Sequence, residues 1–199
     1  MEIDHLAVVC SDLATGVASV ESALGVDLQF GGQHVHYGTH NRLLGLGPGL
    51  YLEVIAPDPD VPRPPRPRWF GLDAAPKVPR LGNWIVRSDT MAGLPPEAGA
   101  IVPLRRGDLE WELTVPEDGS LCEGGAFPSI IYWASGPHPS ARLLDVGVRL
   151  TALTVSHPEP DRIRAMLGPR FKDDRLLLIA GPEVTMSAEF STPDGQRTL

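Results

Sequence analysis

The feature that most constrains the fold is a pattern that occurs near both ends of the chain. An apolar strand, a turn, an amphipathic helix and a glycine follow one another in "EIDHLAVVCSDLATGVASVESALG" and again in the shorter "RLTALTVSHPEPDRIRAMLG". Further along each copy, "GPGLYLEVIAPD" and "GPEVTMSAEFSTPD" both begin with Gly-Pro, end with Pro-Asp and contain one Glu between. Self-similarity of this kind predicts units that bury their apolar faces against one another.

The first copy, residues 1–57, predicts the element order β-α-β-β-β. Its helix has spaced apolar residues, Asp12 as a candidate N-terminal cap and Gly25 as a C-terminal breaker. Three short strand candidates follow and are separated by glycines: "LQF", "NRLLGLG" and "LYLEVIAP". This first unit therefore predicts an α+β fold.

Three further regions complete the predicted organisation. Residues 58–81 are too rich in proline for regular structure and predict a connecting loop. Residues 82–135 predict a degenerate middle unit, because two prolines weaken its helix candidate "TMAGLPPEAGA". Residues 148–199 predict a C-terminal unit that resembles the first, with Ala152 superposed on His5 and Glu189 on Glu53.

Charge and hydropathy argue against two classes of partner. The formal net charge of -8 opposes a nucleic-acid-binding surface, and the basic stretches "RPPRPRW" and "PLRRGDLEW" are short enough to predict solvated loops. No run approaches the roughly 18 apolar residues that a membrane span needs. The first residues lack the basic-then-apolar form of a signal peptide, so we expect a cytoplasmic location.

Four blocks of the chain, taken together at their spacing, carry a family resemblance. "DHLAVVCSDL", "GGQHVHYGTHNRLLGLG", "YLEVIAPDP" and the aromatic-ended "FPSIIYW" are similar to glyoxalase-like domain proteins of the vicinal oxygen chelate superfamily. The resemblance implies repeated βαβββ units that form cup-shaped mixed sheets, with the active site inside the cup. It also implies a small-molecule ligand as the partner, and a homodimer is one assembly open to the chain.

His5 and Glu53 are the candidate catalytic residues, because strand alternation makes them polar exceptions on apolar faces. Alternation places His5 on one face with Ile3, and Glu53 on one face with Tyr51. A buried carboxylate is costly unless it is paired or bound to a metal. Glu53 would act as a base, and His5 would position the substrate or bind a metal.

A divalent metal ion is an open alternative to a metal-free pocket. Most catalytic zinc and iron sites need at least three protein ligands, and the resemblance implies that the others come from matching strands of a second unit. The C-terminal unit offers Ala152, which cannot bind a metal, and Glu189, which can. The candidate ligand set is therefore His5, Glu53 and Glu189. In the metal-free alternative, His5 and Glu53 hydrogen-bond each other.

The stretch "GGQHVHYGTHN" contains half of the six histidines of the chain. His34 and Asn41 lie at the positions that the resemblance marks, and contact with a ligand and a structural role are equally open for them. For His36 the sequence predicts a structural role, as an exposed imidazole or one that packs on a turn. With Tyr51 and Trp133, His34 and Asn41 form the predicted substrate-binding set.

Two function classes remain open. One is an enzyme that acts on a small organic substrate as a lyase, isomerase or oxygenase, although the missing second-unit histidine argues against glyoxalase activity itself. The other is a binding protein that sequesters a small molecule in the manner of bleomycin-resistance proteins.

The remaining aromatic and histidine positions have structural interpretations. Trp84, Trp111 and Trp133 are predicted to lie in the core or, if the middle unit closes the cup, to form an apolar wall. His138 precedes a proline and is predicted to be a turn residue.

Overall fold

A computed structural model describes residues 1–199 as twelve strands and two α-helices. The first region contains β1 (Glu2–Val9), α1 (Leu13–Leu24), β2 (Gln29–His34), β3 (Thr39–Gly45) and β4 (Tyr51–Pro57). The middle region contains β5 (Arg80–Arg87), β6 (Ala100–Arg106), β7 (Leu109–Val115) and β8 (Ser129–Ser135). The last region contains β9 (Arg149–His157), α2 (Pro160–Leu167), β10 (Leu176–Ala180), β11 (Thr185–Thr192) and β12 (Gly195–Thr198). Neither α-helix is long and apolar enough to cross a membrane.

The first two regions share one curled eight-stranded sheet. Its strand order is β2-β3-β4-β1-β5-β8-β7-β6, so each region contributes one contiguous half. At the junction β1 pairs in parallel with β4 on one side and antiparallel with β5 on the other. The N-terminal strand therefore lies at the centre of the sheet and joins its halves.

The two faces of this sheet have separate apolar cores. Leu6 and Val8 pack into the outer core, together with residues of α1 and of the C-terminal region. Ala7 and Val9 pack into the inner core, which lies in the concavity of the sheet. The alternation predicted for this part of β1 is therefore observed.

A β-bulge breaks the alternation at the start of β1. Ile3 and His5 pair with consecutive residues of β5, so Asp4 is left as an extra residue. Ile3 consequently packs into the outer core, and the expectation that it shares a face with His5 is wrong. The Ile3 N–H donates instead to Asp173 Oδ2 of the C-terminal region, at 3.0 Å. The bulge lets Asp4 and His5, which are neighbours in sequence, hydrogen-bond each other beneath the concave face.

The helix of the first region has the caps that its sequence predicts. Asp12 Oδ1 accepts a hydrogen bond from the Thr15 N–H at 2.8 Å, and Gly25 ends the helix with a left-handed φ of 72°. The middle region has only a 3-10 turn, Pro96–Ala98, in the corresponding place. The C-terminal region packs on the outer face there, where Phe171 meets the Trp84 ring at 5.9 Å in a perpendicular arrangement.

The C-terminal region repeats the order of elements but not the strand pairing of the first. Its sheet has the order β10-β9-β11-β12, in which β9 lies parallel to the strand that directly follows its helix. In the first region the parallel neighbour of β1 is instead the last strand, β4. The two regions therefore do not superpose strand for strand. Glu189 pairs with Ala152 inside the second sheet, and its side chain is exposed.

Candidate ligand-binding and catalytic site

The concave face of the eight-stranded sheet holds a small cavity of about 40 Å³, which shares Leu43 and Arg106 with an adjoining surface groove. Six predicted site residues line it: His5, His34, Asn41, Tyr51, Glu53 and Trp133. Glu189 does not line it, because it lies on the second sheet. The structure thus brings together every predicted site residue except Glu189.

Glu53 presents one carboxylate oxygen to the open part of the cavity. Its Oε1 accepts a hydrogen bond from Asn41 Nδ2 at 2.5 Å. The Asn41 amide is held in that orientation because its own Oδ1 accepts from the Gly32 N–H at 2.7 Å. Glu53 Oε2 lies 3.9 Å from His5 Nε2, which is too far for a hydrogen bond. Oε2 therefore has no hydrogen-bond donor from the protein.

His5 is oriented by its neighbour Asp4. The Nδ1 nitrogen of His5 lies 2.7 Å from Asp4 Oδ1, and its ring stacks on Tyr51 at a centroid distance of 4.3 Å. Because a carboxylate only accepts hydrogen bonds, Nδ1 carries a proton, and Nε2 is the nitrogen directed towards Glu53. The arrangement is a chain of three side chains in the order Asp4, His5, Glu53.

Asp4 is completely buried and binds donors from both halves of the sheet. Its Oδ2 accepts from Trp133 Nε1 at 3.0 Å, from His138 Nε2 at 3.0 Å and from Arg87 Nη1 at 3.4 Å. Burial by itself raises the pKa of Asp4. The hydrogen bonds and charges of His138 and His5 more than offset this, so the pKa lies below its ordinary value. His138 caps the 3-10 turn Pro139–Arg142, as predicted for a turn residue, and it is also part of this network.

A second polar pair, Arg106 and His34, lines another part of the cavity. Arg106 Nη1 lies 3.0 Å from His34 Nε2, and His34 Nδ1 lies 3.2 Å from Thr39 Oγ1. An arginine only donates, so Nε2 is the acceptor and Nδ1 carries the proton. Burial, and then the positive charge of Arg106, lower the pKa of His34 to about 3, which keeps it neutral at ordinary pH.

The position of Arg106 corrects the prediction that "PLRRGDLEW" is a solvated loop. This segment forms the hairpin of β6 and β7, and Arg106, the last residue of β6, reaches the cavity. The neighbouring Arg105 points outwards and pairs with Glu110 at 3.6 Å. Strand alternation in this hairpin was the signal that could have separated the two arginines.

Aromatic rings form much of the remaining wall. Trp111 and Trp133 come from β7 and β8, with ring centroids 5.7 Å apart. Trp69 and Phe70 come from a 3-10 turn, Trp69–Ala74, within the segment that was predicted to be only a connecting loop. Trp84 lies on the other face, where its Nε1 donates to the Gly125 carbonyl. The cavity therefore combines flat apolar walls with two polar groupings.

The donor set does not fit a resident divalent ion. No group of three His, Cys, Asp or Glu side chains is arranged to hold a metal. His34 Nε2 faces the Arg106 guanidinium, and Asn41 directs its amide N–H, not its oxygen, at Glu53. His5 and Glu53 alone fall short of the three ligands that most catalytic sites use.

Comparison with known protein families gives a match that covers most of the chain. The family model described as "Glyoxalase-like domain" matches residues 3–170. The chain belongs to the glyoxalase-like domain family. The predicted family resemblance is therefore confirmed. No curated protein of known function matches the chain significantly.

Solved structures confirm the predicted fold class. A hypothetical protein from Staphylococcus aureus superposes with a TM-score of 0.63 at 13% identity, covering 92% of this chain and 87% of that chain. A methylmalonyl-CoA epimerase variant from Streptomyces coelicolor, in complex with 2-nitronate-propionyl-CoA, gives 0.44 at 17% identity, with coverage of 67% and 97%. The Mycobacterium tuberculosis methylmalonyl-CoA epimerase gives 0.40 at 19%, with coverage of 70% and 91%.

Proposed function

We propose that this glyoxalase-like protein is an enzyme that moves a proton on a small organic substrate, with Glu53 as the general base. The observation that carries the proposal is the state of the Glu53 carboxylate. One oxygen is held by Asn41, and the other faces the cavity with no donor from the protein. A base in this arrangement is buried, oriented and free to accept a proton from a bound molecule.

The surrounding residues support this role in different ways. Asn41 stays hydrogen-bonded to Oε1 and so fixes the direction of Oε2. His5, held by Asp4, acts as a positioning residue on the side of Glu53 Oε2. Burial of Glu53 and His5 among aromatic side chains strengthens the electrostatic interactions on which charge development in the substrate depends. The step removes a proton from a C–H next to a carbonyl group, and its return at another position would complete an isomerisation.

A binding protein without catalysis is the second candidate, and the aromatic wall favours it. Trp69, Trp111 and Trp133 offer flat surfaces of the kind that hold a ring or a planar conjugated group. In this alternative Glu53 and Asn41 would serve as hydrogen-bonding partners of the ligand, and no proton would leave carbon.

Exchange of substrate protons with solvent separates the two candidates. The full-length protein is incubated in D2O with small 2-oxocarboxylates and acyl thioesters, and deuterium at the carbon next to the carbonyl is followed by NMR. We expect catalysed incorporation that falls by about 10²-fold or more in Glu53→Gln, which keeps the shape of the side chain but loses the base. Glu110→Gln, on the exposed side of β7, is the matched control and should exchange at the wild-type rate.

Two results would count against the proposal. Exchange that persists in Glu53→Gln would remove Glu53 from the role of base. Binding of these compounds without any catalysed exchange would instead favour the non-catalytic binding protein.

A further inference from the structure

Arg106 is a cation at the cavity without a carboxylate partner. It forms no ion pair within 4.0 Å, and its one hydrogen bond to the protein goes to the neutral acceptor His34 Nε2. The acidic side chains nearby are already paired, Asp108 with Arg142 and Glu110 with Arg105. A guanidinium carries five N–H donors, so most of those of Arg106 have no protein acceptor.

The protein holds this guanidinium in place without neutralising it. His34 is fixed by its hydrogen bond to Thr39, whose hydroxyl also accepts from Trp69 Nε1 at 3.2 Å. The neutral imidazole therefore orients the arginine and leaves its positive charge available. An unpaired, oriented guanidinium beside a partly apolar cavity is suited to a planar anion, which it can bind through two parallel hydrogen bonds.

Arg106 and Glu53 give the cavity a charge polarity. Both line it, yet they are not within ion-pairing distance of each other. Arg106 also borders a surface groove of about 830 Å³, whereas Glu53 does not. A ligand with its anionic group at Arg106 therefore has its other end towards Glu53, where a negative charge would be repelled and a C–H would not.

We propose that Arg106, oriented by His34, is the binding site for the carboxylate group of the ligand, so that the substrate is a small carboxylic acid with a reactive C–H at its other end. This inference rests on the proposed function for the direction of the ligand, and it adds the chemical class that the site selects. The carboxylate occupies the free N–H donors of Arg106, and the aromatic wall packs against the rest of the molecule.

Paired acids and amides test the charge requirement on the wild-type protein. Pyruvate, phenylpyruvate and the neutral amide of each are titrated into the full chain, and binding is followed by tryptophan fluorescence, because three tryptophans line the cavity. We expect at least one acid to bind about tenfold or more tightly than its amide, since a hydrogen bond to a charged group is lost. Inorganic phosphate is titrated in parallel and should bind more weakly than that acid.

Two arginines of the same strand provide matched variants. Arg106→Gln should weaken binding of the acid about tenfold or more and leave binding of the amide nearly unchanged. Arg105→Gln removes the same charge from the outer side of β6 and should change neither. If Arg106→Gln does not fold, as judged by circular dichroism, the acid and amide comparison on the wild type decides alone.

Several results would overturn the assignment: equal affinity for acid and amide, no binding of either acid, tighter binding of phosphate, or acid binding that survives in Arg106→Gln. The outcome is separable from the test of Glu53. Acid-selective binding without deuterium exchange would support the carboxylate site and contradict the base. Deuterium exchange at equal rates in acids and in neutral substrates would support the base and contradict the carboxylate site.

Discussion

The two halves of the eight-stranded sheet share a framework but supply different chemistry to the cavity between them. The first half, built from β1 to β4, contributes the polar side chains of His5, His34, Asn41 and Glu53. The middle half contributes indole rings, apolar side chains and one cation, Arg106. On β5, the residue paired with His5 is Ile85, a fully buried member of the inner core.

This difference makes the cavity chemically asymmetric. One half of the sheet contributes a histidine and a carboxylate, while Ile85, Ile131 and Trp133 occupy strands of the other half. A carboxylate therefore lies on one side of the cavity and a guanidinium on the other.

The largest expected effect follows from removing the carboxylate that joins the halves. Asp4→Ala would leave His5 of the first half, and Trp133, His138 and Arg87 of the middle half, without their shared acceptor. Loss of one partner from a buried charged network costs about 3–5 kcal/mol of unfolding free energy. Urea unfolding measures it, with Asp108→Ala on the exposed surface as a control that should leave the midpoint unchanged. A midpoint for Asp4→Ala equal to the wild type would mean that the halves do not depend on this junction.

Adjacent isoleucines on β8 separate the two faces of the middle half. Ile130 is buried in the outer core and Ile131 in the inner core, where it lines the cavity. Each Ile→Ala change should cost about 2–5 kcal/mol of unfolding free energy, through lost burial and a new void. Only Ile131→Ala should also change the affinity for a cavity ligand, as measured by titration. An equal change of affinity in Ile130→Ala would show that the faces are not independent.

A smaller effect concerns the histidines of the first half and depends on pH. The pKa of His34 is lowered to about 3 in the folded state, whereas the unfolded imidazole titrates near 6.5. The unfolded chain therefore binds the proton first, and stability is lost as the pH falls below about 6.5. Between pH 7 and pH 5 the loss amounts to at most about 2 kcal/mol.

Two variants of the same segment check this pH dependence. His34→Gln should remove most of the loss between pH 7 and pH 5, whereas His36→Gln, at an exposed position two residues away, should retain it. Denaturant unfolding at both pH values gives the comparison. If His34→Gln loses as much unfolding free energy between pH 7 and pH 5 as the wild type does, the pH dependence belongs to another group.

The smallest effect tests the helix that only the first half possesses. Asp12→Ala removes the side-chain acceptor for the Thr15 N–H at the start of α1. We expect the melting temperature to fall by about 2–4 °C. Asp27→Ala, an exposed acidic position beyond the same helix, should leave it unchanged. If both variants have the same melting temperature, the Asp12 cap does not contribute to the stability of the protein.

The sequence predicted the architecture of the first half well, because periodic burial determines it. Leu6 and Val8 alternate with Ala7 and Val9 as expected, and Gly25 ends α1 where the helical spacing ends. Six of the seven predicted site residues line one cavity: strand alternation indicated His5 and Glu53, and the family resemblance marked His34 and Asn41. The C-terminal repeat indicated the order of elements but not the strand pairing, because a shared order of elements does not determine which strands pair.

The parts that the sequence did not predict depend on geometry without a local pattern. Asp4 joins the network through a bulge, and a one-residue irregularity leaves no trace in the hydrophobic period. His138 lies 134 positions from Asp4, so only the tertiary fold brings them together. Trp69 and Phe70 sit among prolines, which indicate a loop but not what its side chains cover. Arg106 is the exception: strand alternation distinguishes it from Arg105, but it was missed because a charged residue in a short hairpin is most often solvated.

The central position of β1 has a consequence for the order of events during synthesis. This strand leaves the ribosome before its partners, β4 and β5, so His5 must wait for Tyr51 and then for Ile85. At translation rates of about 5–20 residues per second, the second wait, from Tyr51 to Ile85, lasts roughly 2–7 s. During that time a strand whose second half, residues 6–9, is wholly apolar has one unpaired edge, which is the state in which nascent chains bind chaperones or one another. The strand that carries Asp4 and His5 is thus made before its partners and enclosed late.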